Sequence, residues 1–95
     1  MQSTSGDVLR ATVEIHNRRG LHARAAAKFV KLVGQYQAEI EVRRGETAVC
    51  GLSIMGLMML SAGPGTSIEI SASGPQAPDA LAALKALVER KFDED

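Results

Sequence analysis

The segment VLRATVEIHNRRGLHARAAAKFVKLVG, residues 8–34, changes its hydrophobic rhythm partway along, and that change decides the reading of the fold. From Val8 to Ile15 the apolar residues partly alternate (Val8, Ala11, Val13, Ile15), the period of a strand with one buried face. His16-Asn17-Arg18-Arg19-Gly20 interrupts as a polar loop. From His22 to Val33 the rhythm becomes helical: Ala25, Ala26, Phe29, Val30 and Val33 recur three and four residues apart, and Gly34 ends the run.

Working outward, Ala38–Arg43 and Glu46–Cys50 read as two strands joined by a tight turn at Arg44-Gly45. Ser53 stands at an N-cap position before a short apolar helix, Ile54–Leu60. Gly63-Pro64-Gly65 marks a turn, and Thr66–Ser73 is a fourth strand with Ile68 and Ile70 on one face. After a second loop, Gly74 to Pro78, a last helix places Ala80, Leu81, Leu84, Leu87 and Val88 on one side. The order β-α-β-β-α-β-α implies an α+β open-faced sandwich, a four-stranded antiparallel sheet with three helices on one face. Residues 1–7 are expected to be a disordered tail, 8–91 the domain, and 92–95 a frayed acidic end.

The composition bounds the function. The 95 residues suffice for one domain, with 45% hydrophobic and 23% charged residues. Eleven basic residues balance eleven acidic ones and aromatics make up 3%, which disfavours a nucleic-acid partner. No run approaches the length of a membrane span and the opening residues are no signal peptide, so no membrane insertion is expected. A single cysteine cannot close an internal disulfide, which fits a cytoplasmic protein. No metal site is expected from two histidines and one cysteine, and no cofactor is implied. Gly51 and Gly56 have the spacing of a Walker loop, but Leu57 and Met58 stand where Lys and Ser or Thr belong.

The sharpest chemical signal is Arg18-Arg19-Gly20-Leu21-His22-Ala23-Arg24. A histidine at a helix start, flanked by arginines, combines an imidazole available near neutral pH with free backbone N–H groups and guanidinium donors for a phosphate-like anion. A plain helix-capping histidine with solvated arginines is the structural alternative. His16 is a rival acceptor with no helix behind it. The second signal is Gly51 to Leu60: Leu57 and Leu60 can face a core, but Ile54, Met55, Met58 and Met59 cannot all join them. Those residues either form an adaptable docking surface or lie under a neighbouring segment. Ser53 is either a cap or a regulated phosphate acceptor. Arg43 and Arg44 are expected to be solvated.

Gly20-Leu21-His22-Ala23-Arg24, followed by Ala25 to Val30, closely resembles the active-site segment of the HPr family of histidine-containing phosphocarriers of the bacterial phosphotransferase system. Gly51 to Leu60 resembles the family's regulatory-serine segment, in the right order and at the right separation. The resemblance implies that His22 accepts a phosphoryl group on Nδ1 from phospho-enzyme I and passes it to an enzyme IIA component. It implies that Arg24 helps hold the phosphate, and that Ser53 is the target of an HPr kinase/phosphorylase where a lineage has one. It also implies a docking face of Ile54, Met55 and Met58 with Ala23, Ala27 and Lys28 at its margin, a monomer, and a carrier in place of an enzyme. The family usually has proline after the active-site arginine; here the position is Ala25, an excellent helix former. A second class of function is a regulatory binding module gated at Ser53, and a third, disfavoured by charge and composition, is an RNA-binding α+β domain.

Overall fold

The computed structural model describes residues 7–94; of the expected tail over residues 1–7 all but Asp7 lie outside them, as does Asp95 of the expected acidic end. Four strands and three helices follow in the anticipated order: β1 (Leu9–Glu14), α1 (Ala23–Val33), β2 (Glu39–Arg44), β3 (Thr47–Cys50), α2 (Ile54–Met59), β4 (Ser67–Ser73) and α3 (Ala77–Glu89). The sheet order is β1-β4-β2-β3, antiparallel throughout. Val13 pairs with Ile68, and Val42 with both Ile70 and Val49, so the inward residues of neighbouring strands stand opposite one another.

One face of this sheet is apolar and the helices cover it. Val13, Ile40, Val42, Ile68, Ile70 and Ala72 point into the core from the strands. Ala25, Ala26, Phe29 and Val33 meet them from α1, and Ala80, Leu84, Leu87 and Val88 from α3. α1 packs on α2 and α3, and its Phe29 is fully buried in the core. Pro78 falls in the first turn of α3, where a missing N–H costs nothing.

Three expectations change. The hairpin turn is Gly45-Glu46, one residue later than anticipated, because Arg44 pairs with Thr47 and Gly45 carries the positive φ of 62° that such turns favour. Arg44 is not simply solvated: its guanidinium donates to the carbonyls of Leu60 and Ser61, both at 2.8 Å, and so satisfies the C-terminal end of α2. The chain end over 92–94 is not frayed. A 3-10 turn, Lys91–Asp93, follows α3, and Phe92 is fully buried beneath it, because its ring completes the apolar core.

Candidate functional site

The loop between β1 and α1 is built on Gly20. Its φ of 65° lies in the left-handed region, and a Cβ there would sit 2.3 Å from the Ala62 carbonyl oxygen. Only glycine permits that approach. Leu21 N–H then donates to the same carbonyl at 2.9 Å and its side chain enters the core, which leaves His22 at the helix boundary.

His22 is the N-cap of α1 in an extended conformation (φ −78°, ψ 178°), and its side chain makes no cap hydrogen bond. The side chain therefore does not cap the helix, and the N–H groups of the first turn are left without that partner. Nε2 instead lies 2.9 and 3.1 Å from the two carboxylate oxygens of Glu94. The pair is largely shielded, with 16% of the His22 side chain and 17% of the Glu94 side chain exposed. Fully buried Asn17 holds the arrangement: its Nδ2 donates to the Gly20 carbonyl and to Glu94 Oε2, each at 2.8 Å. The hydrogen bond from His22, then that from Asn17, holds the Glu94 carboxyl below its ordinary pKa.

Beside this pair, Arg18, Arg19, Arg24 and Glu94 line a cavity of about 180 Å³. Two of its arginines come from the loop and one from the first turn of α1, where the helix dipole also favours an anion. Among the described residues no cluster of three or more His, Cys, Asp or Glu is placed to hold a metal.

α1 packs against α2, which carries the second sequence signal. Ser53 caps α2, its hydroxyl accepting from Gly56 N–H at 2.9 Å. Leu57 and Leu60 are buried, whereas Leu52, Ile54, Met55, Met58 and Met59 are exposed, Met55 to 75%. No neighbouring segment among the described residues covers this face, so the buried-helix alternative fails. Ala23 and Ala27 are exposed on α1. Lys28 is half-buried and its Nζ donates to the Phe92 carbonyl at 2.7 Å, so it serves the chain's own end as well as any margin of the face. His16 is exposed two residues beyond the end of β1.

Residues 9–90 match the family described as PTS HPr component phosphorylation site. The chain belongs to the HPr/NPr family. It is similar to the phosphocarrier protein HPr of Pseudomonas aeruginosa, 48% identical over 83 residues that cover 86% of this chain and 92% of the relative. It is similar as well to the phosphocarrier protein NPr of Klebsiella oxytoca, 46% identical over 88 residues covering 92% and 98%. Among solved structures, HPr-C-His from Thermoanaerobacter tengcongensis matches with a TM-score of 0.87 at 39% identity, covering 92% of this chain and 98% of that one. Membership supports a phosphocarrier role in the phosphotransferase system. α1 forms intact with Ala25 where the HPr pattern usually has proline, and that alanine is fully buried.

Sequence reasoning missed Asn17 and Glu94. Asn17 read as one more residue of a polar loop, and Glu94 as part of a solvated acidic end. The available signal was Phe92, one of only two phenylalanines in the chain: a large apolar residue among charges close behind an apolar helix face asks to be buried.

Proposed function

We propose that His22 carries the phosphoryl group, accepting it on Nδ1 from phosphorylated enzyme I and passing it to an enzyme IIA domain in the cytoplasm. The observation that carries this reading is that the His22 ring is spared from capping and engaged through Nε2 by Glu94, which leaves Nδ1 as the nitrogen open to a donor. Arg24, on the neighbouring cavity wall, supplies a guanidinium for the phosphoryl oxygens, with the free N–H groups of the first turn of α1 beside it. The site is partly open and offers few donors, as suits a group that must be handed on.

The exposed face of Ile54, Met55 and Met58, with Ala23, Ala27 and Lys28 at its edge, is where partners dock on this reading. Phosphorylation of Ser53 by an HPr kinase/phosphorylase would set a dianion at the N-terminus of α2, where it favours the helix, and beside that face, opposing docking of partners that bring an anionic group. The carrier acts as a monomer. The breadth of the exposed methionine face favours one second reading, a binding module gated at Ser53 that works by contact alone.

Incubation with enzyme I and phosphoenolpyruvate, followed by intact-mass measurement at alkaline pH, separates the two. The carrier gains one acid-labile phosphoryl group that His22→Ala abolishes. Absence of that gain with a donor proven on another carrier would sink the carrier reading and leave the binding module.

A further inference from the structure

After α3 the backbone enters the left-handed region at three successive non-glycine residues: Lys91, Phe92 and Asp93, with φ of 60°, 55° and 60°. Side chains disfavour this region at every one of these positions, so the turn persists only because its surroundings hold it. Phe92 is locked in the core, Lys28 Nζ grips its carbonyl at 2.7 Å, and Arg90 grips the Asp93 carboxylate at 2.9 and 3.3 Å. What the turn delivers is the Glu94 carboxylate, set against Nε2 of His22 and tied by Asn17.

We propose that Glu94 is a positioning residue for phosphoryl transfer, holding the proton on Nε2 of His22 through the whole cycle so that Nδ1 is the nitrogen that attacks and later releases. This rests on the carrier reading. In the forward step the Nδ1 lone pair attacks phosphorus of the donor's phosphohistidine. The Nδ1–P bond forms as the donor's N–P bond breaks, and that bond's electron pair returns to the donor ring. No proton leaves His22, so its ring becomes cationic, and the carboxylate at 2.9 Å balances the charge. In the return step the acceptor nitrogen attacks phosphorus, the Nδ1–P pair goes back to Nδ1, and the ring is neutral with Nε2–H still in place.

The other charged groups around the pair make this carboxylate matter. Arg18, Arg19 and Arg24 share the cavity with it, and Lys28 is close enough to act on it. All four are cations, which favour the phosphoryl dianion but oppose a positive ring. Glu94 offsets them at the one atom where the positive ring carries its proton.

Glu94→Gln keeps the size and an acceptor for Asn17 while removing the charge. Two readouts test the role. Long-range proton–nitrogen correlation spectra of the unphosphorylated chain are expected to show the Nε2–H tautomer in the wild type and a growing Nδ1–H share in Glu94→Gln and Glu94→Ala. After loading with enzyme I and phosphoenolpyruvate, the pH midpoint for spontaneous phosphoryl loss is expected to fall by about one unit in Glu94→Gln, because the protonated ring is the better leaving group and has lost its counter-charge. Equal tautomers and equal midpoints, with loading intact, overturn this proposal alone. A wild-type chain that takes no phosphoryl group from a proven donor overturns the carrier reading and the proposal with it.

Discussion

The starts of α1 and α2 use the same backbone device for opposite purposes. His22 and Ser53 both stand in extended conformation directly before a helix. Ser53 spends its side chain on the helix, capping Gly56 N–H. His22 does not: its ring makes no cap bond and is held instead by Glu94, 72 residues away. On the proposed carrier reading, the side chain that does chemistry is released from local structural work, and a distant residue orients it. The surroundings differ in the same sense, since the His22 corner is polar and bound to the chain's end while the α2 face is apolar and unbound.

Breaking the His22 side of this contrast should cost most. Phe92→Ala empties a fully buried ring and should destabilise by about 3–4 kcal/mol in urea unfolding. It should also remove the His22–Glu94 contact from the spectra. Gly20→Ala should cost about 3 kcal/mol, because positive φ and the Ala62 carbonyl both reject a Cβ. On the α2 side, Ser53→Ala should lose about 1 kcal/mol in thermal unfolding through its cap.

Acid sharpens the contrast further. The Glu94 carboxyl titrates below its usual 4.5 in the folded chain, so its contribution to stability is present above about pH 4.5 and is lost as pH falls through the depressed value. The stability gap between wild type and Glu94→Gln should therefore close below pH 4.5, as read by denaturant unfolding at pH 7, 4 and 3. A gap that stayed constant with pH would mean that the carboxylate is not held as described. The smallest effect belongs to Met55→Ser: it should change stability by no more than about 0.5 kcal/mol, since that side chain is already in water.

Most of the frame was legible because it is written in local periodicity. The alternation through Val13 and Ile15, the spacing of Ala25, Ala26, Phe29 and Val33, and the cap at Ser53 each act over a few residues. The histidine and its flanking arginines were legible for the same reason, being adjacent in sequence. What escaped depends on distance or on strain. Arg44 reaches carbonyls 16 and 17 residues away, and no local pattern announces that. The turn at Lys91–Asp93 adopts a conformation that its residues disfavour, so local preference argues against it and only burial of Phe92 explains it. The family resemblance pointed to His22, Arg24 and Ser53, the residues proposed above to carry the function, but nothing in it marked Asn17 or Glu94.

On the proposed reading, Nδ1 of His22 takes the phosphoryl group while Nε2 stays with Glu94. Phosphorus and nitrogen spectra of the full chain, loaded with enzyme I and phosphoenolpyruvate, address it directly. One phosphoryl group is expected, on His22, bonded at Nδ1, with Nε2 still protonated. A phosphoryl group at Nε2, or on His16, would contradict it.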